Sequence, residues 1–439
     1  MWKTIKYFIL KYTDLYHRKI WRPFIKSKYG RLAERICRTV GKILWALEVV
    51  NPPKGEAPCF DEKTFVFTNE GWKLFKDLRR DELILTRLPN GETEWSPILA
   101  MQKYFYSGEM YHLQGRRIDL LITPDHNLYL SVNNCRKNCK FCIHKKYCNN
   151  GFIFKKVSEI KTTKYHIPTS FKWNGEKKEY FEIEKIEFEL LRKRGRFYKY
   201  IKVRKGNYKT PMKHWLAFLG LYLSEGCVIG NYIFISQKHT DEKDKFIREI
   251  LEKLPYSFSK VPQGWRIKDI ALAEYCRKFG KAKEKYIPQE IKNLSSDLLF
   301  ILFKSLIFGD GYEEGNGYYK YITKSYQLAQ DVQEISFKIG FNAGIHRKKN
   351  GIYDVYIGYK KETIRLDHKF FKNNIKKVFY KGYVYDLTVK NHTLWVKRND
   401  KCVWSGNCLV YLFIRFPNRW HGRSFKERMK YIKKVIKNF

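Results

Sequence analysis

Apolar and polar residues alternate in short runs over 59–170: Thr64-Phe65-Val66-Phe67, Leu83-Ile84-Leu85-Thr86, Met110-Tyr111-His112-Leu113, Asp119-Leu120-Leu121-Ile122-Thr123 and Leu128-Tyr129-Leu130. Gly, Asn and Pro separate these runs, and a period of two bounded by turn residues predicts an all-β module. A further strand pair is expected from 157–160 and 165–168, and the same texture returns at 383–389 and 393–397. Between these stretches the period changes. Phe218-Leu219-Gly220-Leu221-Tyr222-Leu223-Ser224-Glu225-Gly226 and Phe303-Lys304-Ser305-Leu306-Ile307-Phe308-Gly309-Asp310-Gly311 are mostly apolar and close on an acid followed by glycine. Each predicts a buried helix, and each is followed by strand-then-helix patterning, at 232–236 and 244–254 and again at 321–325 and 327–340. A unit that recurs in this way carries more weight than either apolar run alone. Near the start, Leu32, Ile36, Val40, Ile43, Leu44 and Leu47 give 31–50 the spacing of an amphipathic helix, which Asn51-Pro52-Pro53-Lys54-Gly55 breaks.

Composition adds a partner to this outline. The 439 residues are enough for two or three cores. Lys and Arg number 87 against 44 acidic residues, a net charge of +43, more than solubility requires, and such an excess points to a polyanion. The basic residues concentrate at 190–213, where Arg192, Arg194, Arg196, Lys202, Arg204 and Lys205 alternate with Tyr198, Tyr200 and Tyr208. Basic density without matching acids suits an arm that tracks phosphates. No run approaches the roughly 18 apolar residues of a spanning helix, and no signal-peptide core opens the chain. A cytoplasmic protein without a membrane partner is expected, and the usage of its ten cysteines fits that compartment.

Four of those cysteines, Cys135, Cys139, Cys142 and Cys148, lie in a lysine-rich stretch within 131–150. Their C-x3-C-x2-C-x5-C spacing suits a tetrahedral structural zinc site. Cys135, Cys139 and Cys142, with Phe141 before the last, also match the iron–sulfur motif of radical enzymes, but a short strand region and a basic linker follow in place of that family's barrel and Cys148 is left over, which favours zinc.

Reactive groups cluster at the two ends of 59–408. In Ser405-Gly406-Asn407-Cys408 the Asn407 side-chain nitrogen can attack its own backbone carbonyl, and the Cys408 thiol is a nucleophile. Cys59 opens the β-patterned stretch, Thr123-Pro124-Asp125-His126 follows, and Tyr385-Asp386-Leu387-Thr388-Val389 with His392 precedes the junction. In order and placement these resemble the splicing blocks of an intein, which implies a Hedgehog/intein horseshoe fold. The resemblance implies that Cys59 attacks the carbonyl before it, with Thr123 and His126 polarising that amide. It assigns Asp386 to tuning Cys59, Cys408 to transesterification, and His392 to assisting Asn407 cyclisation, with no cofactor. Two departures are visible: Gly406 stands where inteins usually have His, and Pro58 restricts how the first carbonyl is presented.

The two acid-Gly helices resemble the LAGLIDADG homing endonucleases in their single-chain form, with two αββαββα repeats. Gly220, Ser224, Ser305 and Gly309 would allow close helix packing, and the resemblance then places Glu225 and Asp310 over the scissile phosphates. Adjacent carboxylates repel unless a divalent cation bridges them, and Mg²⁺ there would stabilise the oxygens of phosphodiester hydrolysis. Lys285 matches the family lysine that stabilises charge or activates water, and Gln237, Lys238 and Lys324 are candidate base contacts. The expectation is therefore multidomain. It comprises a host segment 1–58, the first part of the splicing domain at 59–170 with a cysteine-rich insertion at 131–150, and a basic linker or arm at 171–213. An endonuclease domain at 214–375, the second splicing part at 376–407 and a host segment 408–439 complete it. Double-stranded DNA is the expected partner, and one chain holding both repeats implies a monomer. The alternatives are a splicing-impaired or endonuclease-dead DNA-binding protein, an autoprocessor that only cleaves, and a radical enzyme.

Overall fold

A computed structural model describes residues 59–88, 90–132, 152–160, 165–183, 186–194, 197–205, 209–358, 363–366 and 374–407. The helix expected at 31–50, the four clustered cysteines, Pro58 and Cys408 lie outside them. The protein is multidomain and rich in sheet.

Strands from the two ends of 59–407 build one all-β body. The long strands Ala100–Gln114 and Ile375–Thr388 pair antiparallel along their length, and with Phe60–Asp61 and Asp119–Ile122 they close a small barrel. Beside it, Thr393–Arg398 and Lys401–Gly406 form a terminal hairpin that joins Phe65–Thr68 and Leu83–Arg87 in a second sheet. Asn399 and Asp400 both take positive φ, 45° and 59°, which gives the two-residue turn whose twist matches paired strands. The strands expected at 64–67, 83–86, 119–123 and 128–130 form, and 383–389 is the end of a much longer strand.

Three expectations change. Val157–Glu159 is a 3-10 turn and not a strand. Within the supposed linker 171–213, Phe171, Trp173, Phe181 and Ile183 are buried in the main core, so apolar burial overrides the local polarity. Thr363–Leu366 pairs with Tyr165–Pro168, so the chain re-enters the all-β body well before 375.

The helical half contains α1 (Met212–Glu225), α2 (Asp241–Leu251), α3 (Ile270–Arg277), α4 (Gln289–Lys292), α5 (Ser296–Asp310) and α6 (Tyr326–Lys338). Two four-stranded sheets follow α1 and α5 with the same strand order. The first unit runs α-β-β-α-β-β-α, and the second runs α-β-β-α-β-β before the chain crosses back. Side-chain caps start three helices: the Thr240, Asp269 and Ser325 oxygens accept from the backbone amides of Lys243, Leu272 and Leu328. The basic stretch forms an isolated antiparallel ribbon, Ile186–Arg194 with Phe197–Lys205, in which Lys202 stands opposite Glu189 and Arg204 opposite Glu187.

One apolar cluster continues from α1 and α5 through α6 into Phe67, Phe171, Trp173, Trp395 and Trp404 of the all-β body. The Phe337 ring of α6 sits 5.2 Å from that of Trp395. Beside it, Lys292 bridges Asp331 (2.8 Å) and Glu334 (3.3 Å), and Lys338 bonds Glu334 (2.8 Å), all four buried. Buried charges persist only when paired, and here each has a partner.

Candidate functional sites

The first site is built around the turn 123–127. Thr123 donates its backbone N–H to the Cys59 carbonyl (3.0 Å), and its Oγ1 accepts from the Cys59 backbone N–H (2.8 Å). Cys59 is fully buried. The register that pairs Phe60 with Tyr385 brings Asp386 alongside Cys59, and Asp386 Oδ1 accepts from the Leu387 amide at 2.7 Å. His126 is buried under Phe60, with ring centroids 4.2 Å apart, and its Nε2 lies 2.9 Å from Ser405 Oγ of the terminal hairpin. One short turn therefore touches both the first residue of 59–407 and its last strand.

At the open end of that hairpin, Thr393 pairs with Gly406, which sets His392 opposite Asn407. His392 takes φ 57°, and its Nδ1 lies 3.2 Å from Asn407 Oδ1. Asn407 is buried, and its Nδ2 has no hydrogen-bond partner among the described residues. A buried amide N–H group without an acceptor carries a desolvation cost of about 1–3 kcal/mol, and no acceptor among the described residues ties the nitrogen away from the Asn407 backbone carbonyl.

The glycine at 406 has a steric reason. A Cβ there would fall 2.3 Å from the Asn127 carbonyl oxygen and 3.0 Å from Phe154 Cδ1. Gly406→His is therefore expected to lower the melting temperature, since a side chain forced against the Asn127 carbonyl costs about 1–3 kcal/mol. Thermal denaturation checks this; an unchanged melting temperature would show that the backbone yields to the side chain.

The second site lies where α1 and α5 end. A Cβ on Gly220 would meet Ser305 Cβ at 2.5 Å, and one on Gly309 would meet Ser224 Cβ at 2.4 Å, so only glycine permits this approach. Ser224 Oγ donates to the Leu306 carbonyl at 3.2 Å across the seam. Glu225 and Asp310 emerge together, half-buried. Burial first, then the Glu225 charge, pushes the Asp310 carboxyl up to about 7, with Lys285 and Lys243 opposing; burial likewise raises Glu225. Lys285 is buried, and its Nζ donates to the carbonyls of Tyr222 (2.8 Å), Ser224 (3.3 Å) and Gly226 (2.8 Å). It caps α1, and burial lowers its ammonium to about 8 although Asp310 pulls the other way.

Lys243 escaped the sequence reading because it sits in a charge-rich helix that looks like a solvated face. Its Nζ donates to Gln237 Oε1 (2.9 Å), while Gln237 Nε2 donates to Glu225 Oε1 (3.2 Å). Gln237, expected to read bases, is thus engaged at the carboxylates; Lys238 and Lys324 remain exposed. The described residues include no cluster of three or more His, Cys, Asp or Glu able to hold a metal. Two abutting carboxylates with raised proton affinity nonetheless fit a divalent cation, whose charge would relieve both.

Asp310 holds its proton to about 7 when folded and to about 4 when unfolded, so the folded state binds more protons in that window and stability falls as pH rises through it. Millimolar Mg²⁺ is expected to raise the melting temperature more at about pH 8 than at about pH 5. Equal gains at both pH values would remove the carboxylate pair as the cation site.

No family model matches the chain. Among curated proteins it is similar to an ATP-dependent Clp protease proteolytic subunit of Chlamydomonas moewusii, 24% identical over 323 residues, covering 70% of this chain and 30% of the relative. A DNA-directed RNA polymerase subunit beta C-terminal section of Stigeoclonium helveticum is 23% identical over 426 residues, covering 80% and 36%. A ribonucleoside-diphosphate reductase subunit beta of Aquifex aeolicus is 24% identical over 397 residues, covering 82% and 51%. The chain thus spans about a third to a half of the length of these relatives. Structural neighbours include the homing endonuclease I-DmoI in complex with DNA and Mn (TM-score 0.26, 14% identity, 37% of this chain and 96% of that one). They also include the AceL NrdHF class 3 split intein (TM-score 0.19, 15% identity, 35% and 78%) and the N-terminal LAGLIDADG domain of DUF199/WhiA (TM-score 0.26, 12% identity, 34% and 77%).

Proposed function

We propose that 59–407 is an intein that excises itself from a host chain and carries a LAGLIDADG endonuclease cutting double-stranded DNA. The observation that carries the splicing half is the 123–127 turn, which holds the Cys59 amide on one side and reaches Ser405 on the other. Relatives named for a protease, a polymerase and a reductase share only part of their length with this chain, as expected of an inserted element independent of its host's activity.

In this reading Cys59 Sγ attacks the Pro58 carbonyl carbon, the Cys59 nitrogen leaves as an amine, and a thioester forms. Thr123 orients that amide, and His126 takes the role of moving the proton it needs. Cys408 Sγ then displaces the Cys59 thiol. Asn407 Nδ2 attacks its own carbonyl, closing a succinimide and releasing the Cys408 amine, while His392 holds Asn407 Oδ1. The free amine finally displaces sulfur to form the Pro58–Cys408 peptide bond. In the DNA-cutting half, Glu225 and Asp310 would hold the divalent cation, which supplies charge stabilisation at the scissile phosphate. Lys243, through Gln237, orients Glu225, and Lys285 holds the end of α1. The basic ribbon would track the DNA backbone, most strongly near its tip, because Lys202 and Arg204 stand opposite acids. Intact-mass spectrometry of the freshly expressed chain tests the splicing half: an excised 59–407 fragment with a joined host product is expected. A chain left whole across pH and thiol conditions would overturn it.

A further inference from the structure

The terminal hairpin has two ends, and the splice junction uses only one. At the other, the Asn399-Asp400 turn is seated on α6 of the endonuclease half. Asp400 Oδ1 accepts from Tyr326 Oη (2.6 Å) and from Gln330 Nε2 (3.3 Å). The Asp400 carbonyl accepts from Gln333 Nε2 (2.7 Å), which also donates to the Ala343 carbonyl (3.2 Å). Three side chains on successive turns of one helix thus grip a single residue. Beyond the turn, Cys402 Sγ approaches Gln333 Oε1 at 3.8 Å, and Trp395 packs on Phe337. Lys401–Gly406 is the edge strand of its sheet, paired with Thr393–Arg398, so what holds the turn between them also limits its drift along the pairing direction. Only five paired positions separate that grip from Gly406.

We propose that α6 positions the C-terminal splice centre: its hold on Asp400 keeps His392 and Asn407 in reacting register, so endonuclease-half residues set the rate of Asn407 cyclisation. This rests on the splicing reading, and Tyr326, Gln330 and Gln333 act as positioning residues through Asp400. The seat also accounts for an acid at a turn position with positive φ, where glycine or asparagine would serve the backbone equally well.

The test uses the full precursor with Asp400→Gly and Asp400→Asn. Glycine accepts the positive φ but removes the side-chain acceptor, whereas asparagine keeps both the φ and an acceptor oxygen. Two rates are followed by mass spectrometry: thiol-induced cleavage before Cys59 and spontaneous cleavage after Asn407. Asp400→Gly is expected to slow the second about ten-fold and leave the first unchanged, since misplacement of about 1 Å far from the chemistry can cost up to about a hundred-fold. Asp400→Asn should restore the parent rate. Hydrogen exchange across Lys401–Gly406 is measured on the same samples, with protection expected to fall in the glycine variant only. Equal C-terminal rates in all three chains, or unchanged protection, would overturn the proposal. A parent that cleaves at neither junction would sink the splicing reading instead, and the exchange result would still decide whether α6 restrains the hairpin.

Discussion

Asn407→Ala is expected to abolish release at the C-terminal junction, lowering its rate on the order of a thousand-fold or more, because it removes the attacking nitrogen itself. The geometry makes the prediction specific. Asn407 is buried, Nδ2 has no partner among the described residues, and Oδ1 rests 3.2 Å from His392. The described residues therefore hold the oxygen and leave the nitrogen available. The Cys59 amide is held by Thr123 and the Asn407 side chain by His392, so thiol-induced cleavage before Cys59 should continue in this variant. His392→Ala should slow C-terminal release by only about ten- to a hundred-fold, since it removes a polarising partner and not the nucleophile. Mass spectrometry separates these outcomes: C-terminal release persisting in Asn407→Ala would show that another group breaks that bond.

Asp310→Asn is expected to remove DNA cutting by on the order of a thousand-fold while leaving splicing unaffected. The amide keeps the shape that α5 presents but removes one of two carboxylates forced together by the glycine–serine seam. Loss of that charge also removes the burial cost and, after it, the Glu225 repulsion that together push Asp310 up to about 7. The variant should therefore melt higher than the parent at about pH 8 and lose most of its response to Mg²⁺, a stabilisation gained at the expense of a site. DNA binding, carried by the basic surfaces, should persist or strengthen. Cleavage of a randomised duplex library and salt-dependent binding, compared between parent and variant, decide it: cutting that survives in Asp310→Asn would displace this pair from the chemistry.

Some of this was legible in residue types and periods. Short apolar runs bounded by turn residues located the strands around Phe67, Leu85 and Leu121, which are almost wholly buried and so need no strict alternation. The apolar runs of α1 and α5, with small residues at Gly220, Ser224, Ser305 and Gly309, announced helices able to approach closely. A second internal repeat was present and went unread: Tyr106-Ser107-Gly108-Glu109-Met110-Tyr111-His112-Leu113 against Tyr380-Lys381-Gly382-Tyr383-Val384-Tyr385-Asp386-Leu387. In the fold these segments lie across from one another, Ser107 pairing with Lys381, and each first tyrosine hydroxyl donates to a carbonyl three residues on.

What the chain alone determined was local: which stretches alternate, where nucleophiles and acids stand, and how far positive charge exceeds negative. Those follow from residue chemistry and short spacing. The tertiary structure decided everything that depends on two distant segments touching. That Gly406 excludes a side chain comes from the Asn127 carbonyl behind it. That Lys243 belongs to the carboxylate site comes from α2 lying beside Gln237. That Phe171, Trp173, Phe181 and Ile183 belong to the core comes from their burial against distant elements. Contact between segments far apart in sequence is set by how whole faces pack, and no local period encodes it.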